Sequence, residues 1–419
     1  METLLASRIE LTPRPGRNRA PVLVCGMVGH CPGRVRRKRL FDLTEAVKAI
    51  RSAGFVDQLE RLRSTEEAIF HLPIPLSASA EFHDIFPDAA TASTGYRSTL
   101  AGATAWLPRC VDDFFANGGS RLWVVVVPEE AHQKGFLPAP DTVLHDPTTL
   151  RGFSSLLVIP EIGLITLPDL ERLQIPPELS DVPGRDPDPV TPAFMPCSSD
   201  LPGPDPMSVP DTHDLPAPWP CEQLLQEVLP WLSRARPDIQ CLWPVPLDYD
   251  EQRQIPAASR QALGSLETLA GKQGGHRLRQ IQFVFPYLTD DRGRPTSPCG
   301  VLAGAQSAMA RAKGPWRSIA GQPLSTTGDP FPPQSIPAIK ALRETPGISV
   351  LTRKPRGVML DDERLVVPAL PPEDYDRARQ QERFNAFRSA ELMRFLGYLR
   401  RQLQLLGEGL VFKADPRDP

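Results

Sequence analysis

Apolar residues along this chain come in short blocks whose period switches between strand-like and helix-like. The unbroken run Pro21-Val-Leu-Val-Cys-Gly-Met-Val28, within residues 20–28, predicts a strand covered on both faces of a sheet. A shorter strand is expected at Arg8–Leu11, and a helix over Phe41–Ala53 with Asp42 or Thr44 as its cap. Residues 72–99 are mixed and rich in Pro, Ser and Ala, and show no readable period. From 102 to 116, Trp106, Cys110, Val111, Phe114 and Phe115 recur at helical spacing. Asn117-Gly118-Gly119 then supplies the left-handed conformation that ends a helix, and Arg121–Pro128 is a β-branched run suited to a buried strand.

The alternation continues. Phe153–Pro160 reads as a strand, Glu222–Arg234 as a helix with Leu224, Leu225, Val228, Leu229 and Leu232 inward, and Ile239–Val245 as a strand. Ala258–Ala270 reads as a helix and Ile281–Pro286 as another strand. A long amphipathic helix is expected over Arg383–Leu406, with Leu392, Phe395, Leu396, Leu399, Leu403 and Leu406 on one stripe and Arg394, Arg400, Arg401 and Gln404 facing elsewhere. Gly407 and Gly409 are expected to stop it before a last strand at Leu410–Lys413. Strands alternating with helices predict an α/β fold (α+β overall) with a mostly parallel sheet, plus a C-terminal domain carrying the long helix. The expected division is an N-terminal part over 1–130, an α/β domain over 131–290, and a C-terminal domain over 291–419.

Composition refines this picture in three places. Proline is abundant, 49 of 419 residues, and concentrates in an insert at 175–220 that offers no period and little apolar surface. The seven cysteines are odd in number and scattered, which fits free thiols in a reducing compartment better than a disulfide framework. A formal net charge of -3 gives no general reason to expect nucleic acid, and no apolar stretch approaches membrane length, so neither nucleic acid nor a membrane anchor is expected. Synthesis and folding in the cytoplasm are expected, with any outward passage as part of a larger particle.

Candidate chemistry is sparse. Cys25 and Cys31 flank His30, but the spacing is not that of a metal-binding cysteine pair. Gly271-Lys272 lacks the upstream glycine and the following hydroxyl of a phosphate loop, and no Gly-x-Gly-x-x-Gly follows a strand. Asp290-Asp291 and Asp361-Asp362-Glu363 read as solvated turn charges. The basic run Arg34–Arg39 is read as a solvated loop or an inter-subunit salt-bridge patch. No catalytic, cofactor-binding or metal-binding residue is therefore assigned, and no cofactor is expected.

Five segments carry a resemblance. Phe114-Phe-Ala-Asn-Gly-Gly-Ser-Arg121, running into the Trp123–Val127 strand, resembles a helix-turn-strand of the tail-sheath family of contractile phage tails and injection systems. In the same order follow Ser155–Pro160, then Pro286-Tyr-Leu with Pro298–Ala312 and Gly314-Pro-Trp-Arg-Ser-Ile-Ala-Gly321, then Gly347–Val350 with Arg356-Gly-Val358, then Arg388–Leu406 with Gly409-Leu-Val-Phe412. Arg317 stands where the family has lysine, Leu360–Arg364 departs from the family pattern, and only Arg8–Leu11 stands for the usual N-terminal arm. The family continues beyond the last of these segments, whereas this sequence stops at Pro419, so a shortened member is expected.

The resemblance implies a structural role without an active site: a sheath-type subunit, a specialised paralogue beside the baseplate or cap, acting by repacking. Its implied partners are other sheath subunits, the inner tube protein, and baseplate or cap proteins. Phe114, Phe115, Gly118, Gly119, Trp316 and the C-terminal helix stripe are its expected interface and fold residues. A monomeric adaptor of the same fold, and an α/β hydrolase-like enzyme with a proline-rich lid, remain the alternatives.

Overall fold

A computed structural model describes residues 23–31, 36–64, 70–86, 105–175, 219–249, 256–271, 275–290, 293–344, 347–366 and 388–410. The expected strand at Arg8–Leu11, most of the insert at 175–220, and residues 411–413 lie outside these. The core is one eight-stranded sheet made of β1 (Val24–His30), β2 (Ile74–Leu76), β3 (Leu122–Val127), β4 (Ile162–Thr166), β5 (Gln240–Pro244), β6 (Ile281–Phe285), β7 (Ile348–Lys354) and β8 (Gly357–Leu360). Their order is β8-β7-β6-β5-β4-β1-β3-β2. Neighbours from β7 to β3 run parallel, and only the outer strands β8 and β2 are antiparallel to theirs. Two small antiparallel ladders flank it, one joining Tyr287–Thr289 to Pro295–Thr296 and Pro330–Phe331, the other joining Leu247–Tyr249 to Pro256–Ala258. The unbroken apolar runs became the central strands: every residue of β1 and β3 is buried, with Val28 beside Val125.

Around the sheet lie α1 (Arg37–Asp42), α2 (Thr44–Ser52), α3 (Val56–Ser64), α4 (Ser79–Ile85), α5 (Leu107–Ala116), α6 (Ser154–Leu157), α7 (Pro168–Arg172), α8 (Cys221–Ala235), α9 (Arg260–Gly271), α10 (Cys299–Lys313), α11 (Ile336–Glu344) and α12 (Ala390–Leu410). The sheet draws strands from 1–130, 131–290 and 291–419 alike, and one apolar cluster runs through all three segments. Helix α10 lies close against α5, because a side chain at Gly300 would sit 2.6 Å from the Cys110 carbonyl oxygen and one at Gly304 would sit 2.2 Å from that of Phe114.

Three local expectations are corrected. Phe153–Pro160 is not a strand: Ser154–Leu157 is a helical turn, and the strand follows at Ile162–Thr166. A run this short and apolar fits either state, and the Ser154 hydroxyl decides it by accepting from Arg151 N at 2.9 Å and donating to Arg151 O at 2.6 Å. The helix expected over Phe41–Ala53 is two, α1 and α2, broken at Leu43, and neither Asp42 nor Thr44 caps α2. Gly407 and Gly409 do not stop the last helix, which continues to Leu410 because an exposed helix end tolerates glycine at modest cost.

Candidate assembly surface and strand-end crevice

Strand order reverses across β1, since β3 lies on one side and β4, β5, β6 and β7 on the other. The carboxyl ends at such a reversal form the crevice where open α/β sheets hold ligands. Here the crevice holds the protein's own carboxylate. Asp169 on α7 is fully buried and accepts from His30 N at 2.9 Å, Trp106 N at 2.8 Å, Leu107 N at 3.0 Å and Arg172 Nε at 2.9 Å. Two of those amides open α5, the position where an anion is favoured. A side chain at Gly29 would stand 2.7 Å from Asp169 Oδ2, so glycine is what lets the carboxylate seat.

Arg172 also donates to His30 Nδ1 at 2.9 Å, which leaves the ring proton on Nε2. Burial, aided by Arg172, lowers the His30 pKa to about 3, so the ring is neutral at physiological pH. His30 therefore serves the crevice as an acceptor of Arg172. Its neighbour Glu171 is also buried, and burial pushes its pKa up to about 8 although the Ser297 hydroxyl donates to it. A perturbed carboxyl at strand ends is the kind of group catalysis uses. Two surface cavities among the described residues, about 90 and 220 Å³, are lined by other residues.

The second site is α12. It turns Arg394, Gly397 and Arg401, at spacings of three and four, toward the body. Arg394 Nη2 meets Glu363 Oε2 at 2.8 Å, and both side chains are buried. Gln306 Nε2 donates to Glu363 Oε1 at 2.7 Å and Ile319 N to Oε2 at 3.1 Å. The network extends through Gln282 to Ser349 on β7 at 3.1 Å. One turn beyond Gly397, Arg401 donates to Asp238 O at 2.8 Å. Glu363 is thus a buried counter-ion and not a solvated turn charge, which corrects the sequence reading of Asp361-Asp362-Glu363. Asp361 pairs with Arg343 and Lys354, and Asp362 with Arg364. Asp290 pairs with Arg294 across its turn at 2.8 Å.

The opposite face of α12 presents leucine to solvent. Leu396 and Leu399 are 39% and 37% exposed, Leu403 and Leu406 67% and 63%. Trp316, 46% exposed, stacks edge-on against Phe395 with centroids 5.6 Å apart and extends this surface. An apolar strip of this size along one helix is the form of surface that another protein covers.

The remaining residues singled out in the sequence are structural in placement. Phe114 is buried, Phe115 packs half-buried at the core edge, and Gly118 takes φ 84° at the end of α5. A side chain on Gly119 would strike the Phe114 ring at 2.3 Å. Asn117, between them, clasps the far segment: its amide donates to Ser325 O and its oxygen accepts from Ser325 N, each at 2.8 Å. Of the basic run, Arg36–Arg39 are described and form the start of α1. Sequence reasoning missed Asp169, Arg172, Glu171, Arg394, Arg401 and the Asn117 clasp. The readable signals were Pro168-Asp-Leu-Glu-Arg172 opening a helix after a strand, and the Arg-Gly-Arg spacing of 394, 397 and 401.

No family model matches the chain, and no curated protein matches it in sequence. Solved structures do. A chain of the anti-feeding prophage baseplate in its contracted state aligns with a TM-score of 0.57 at 16% identity, over 100% of this chain and 80% of that one. A chain of the helical sheath of the same system in its contracted state aligns with a TM-score of 0.48 at 12% identity, over 99% and 79%. The sheath tail protein of Desulfitobacterium hafniense aligns at 0.41 and 7% identity, over 98% and 84%. The first of these shows that this chain, with its mostly parallel eight-stranded sheet, shares its mixed α/β fold with a chain of the contracted anti-feeding prophage baseplate.

Proposed function

We propose that this chain is a structural subunit of the contractile sheath of a phage-tail-like injection system, a specialised paralogue at one end beside the baseplate or cap, and not an enzyme. The observation that carries the reading is the fold match over the entire chain to a contracted baseplate assembly. In this reading its partners are other sheath subunits, the inner tube protein, and baseplate or cap proteins, and it is assembled in the cytoplasm into a particle. Work is done by repacking interfaces between rigid subunits, with no covalent chemistry. Successive subunits meet by unlike patches, as an open, head-to-tail stack requires.

The leucine face of α12 supports the reading, because it offers apolar surface that an isolated monomer has no use for. The enzyme alternative draws on one observation, the raised pKa of Glu171 at the strand ends. Against it stands Asp169, which fills the place where a ligand's anionic group would sit.

Negative-stain electron microscopy of the chain, alone and co-expressed with neighbouring tail genes, tests the proposal. Rings, or incorporation at one end of a sheathed particle, are the expected result. Long tubes formed by the chain alone would sink the end position, and a persistent monomer in every mixture would sink the assembly role.

A further inference from the structure

Helix α1 opens on four consecutive cations, Arg36 at its cap and then Arg37, Lys38 and Arg39. Arg36, Lys38 and Arg39 are exposed and Arg37 is half-buried. Among the described residues none of the four meets a carboxylate. Several surface cations elsewhere do meet one, Arg51, Arg121, Arg343, Arg353 and Arg364 among them. The patch also gathers from α3 the Arg63 cation, itself paired with Glu60 at 3.4 Å. Arg37 and Phe41 stand one turn apart, and the Arg63 guanidinium lies 4.9 Å from the centre of the Phe41 ring. Like charges crowded without partners repel one another, so a surface of this kind gains most when an anionic segment covers it.

The chain itself carries such a segment. Residues 176–218 hold eight carboxylates, from Glu178 to Asp214, against the single cation Arg185, a net charge of -7. The whole chain has a formal charge of -3, so the other residues together carry +4. A basic α1 face and an insert of net charge -7, on the same chain, can supply the two unlike patches that a head-to-tail contact between identical subunits needs. The proline content of the segment restricts φ before docking, which lowers the entropy lost on docking.

We infer that residues 176–218 of one copy dock on the basic α1 face of a neighbouring copy, as an electrostatic contact between successive subunits. The inference rests on the assembly role proposed above and names one of its contacts. Lys38 is its reporter, being the one amine among the four cations.

The test mixes full-length chains made in light and heavy nitrogen, assembles them, and applies a carbodiimide, which joins an amine to a carboxylate in direct contact. The expected result is mass-spectrometric crosslinks from Lys38 to the 178–214 carboxylates that join a light chain to a heavy one. Their yield should fall at least about fivefold from low to high salt, since exposed ion pairs are screened over roughly 10 Å at 0.1 M. Replacing Arg36, Arg37 and Arg39 by serine keeps the reporter amine and should abolish these crosslinks while leaving the melting temperature unchanged. Replacing the aspartates of the segment by asparagine should do the same from the other side. Crosslinks confined to chains of one label, or no crosslink from Lys38 to the segment, overturn the contact. Particles seen by microscopy in the same samples without mixed crosslinks refute this contact alone, and a chain that stays monomeric here and in every co-expression mixture refutes the assembly role together with it.

Discussion

Arg394 and Glu363 meet at 2.8 Å with both side chains closed off from solvent, so the long C-terminal helix is anchored through charge and not through its leucines. An amphipathic helix on a globular body ordinarily buries its apolar stripe. Here the body supplies Glu363, Gln240, Gln282 and the Asp238 carbonyl as acceptors for arginine, and the leucine stripe is left exposed. The two faces of α12 thus separate folding from association, and each can be tested without the other.

Arg394→Met removes the cation and strands Glu363 as a lone buried charge. We expect a loss of about 3–5 kcal/mol in urea unfolding, with most of it recovered when Glu363→Met is added, because a buried pair costs far more to break than to replace. A double variant no more stable than the single one would show that the pair is not the anchor.

Leu403→Glu, on the outer face, should leave stability within about 0.5 kcal/mol, since the side chain is already 67% exposed. The same substitution should block co-assembly with tail proteins in microscopy or sedimentation. Normal incorporation of the variant would remove the leucine face from the interface.

Asp169→Asn exchanges a full acceptor for an amide whose NH2 must point at a donor among His30 N, Trp106 N, Leu107 N and Arg172. A cost of about 2–4 kcal/mol is expected from the unmet buried donors. Thermal melting with an activity-independent probe, such as near-ultraviolet circular dichroism, reads it.

Glu171 gives the protein a pH signature. Its folded pKa is raised from 4.5 to about 8, so the folded state holds a proton that the unfolded state releases. Its contribution is complete below about 4.5 and declines as pH climbs through that interval, until above about 8 it is gone. His30, lowered from 6.5 to about 3, acts the other way: its contribution is complete above 6.5 and is lost as pH falls. The window above 6.5 is thus free of His30 and holds Glu171 together with His83, whose pKa is raised chiefly by its hydrogen bond to Asp112. In Glu171→Gln, which keeps a partner for Ser297, the fall in unfolding free energy across that window should flatten. An unchanged slope would show that Glu171 is ionised in the native state.

Much of this architecture is visible in the pattern of residues, and the exceptions share a cause. Strands β1, β3 and β6 and helices α5 and α8 follow from apolar blocks long enough to have one period. Phe153–Pro160 reads as a strand because so short an apolar run satisfies either period, and the deciding bonds of the turn Ser154–Leu157 to Arg151 are made by a hydroxyl. The pattern in α12 separates leucine from arginine correctly, but no pattern says which side meets the body. The Asp169 cluster joins residues as far apart as His30 and Asp169, and pairing over 139 positions leaves no local trace. The same holds for Asn117 and Ser325, 208 positions apart, although the glycine turn beside Asn117 was readable.

The sheet's strand order also sets a timetable for synthesis. When Ile281–Phe285 leaves the ribosome, one margin of β6 is bare, and its partner β7 begins only at Ile348. Glu363 waits longer still, for a cation carried by the last helix. A nascent chain halted before Arg394 has every strand of the sheet, the last ending at Leu360, yet holds a carboxylate beside Gln306 with no cation to neutralise it. A chain cut short of α12 is therefore expected to be less stable than the whole one by the cost of that uncompensated buried charge.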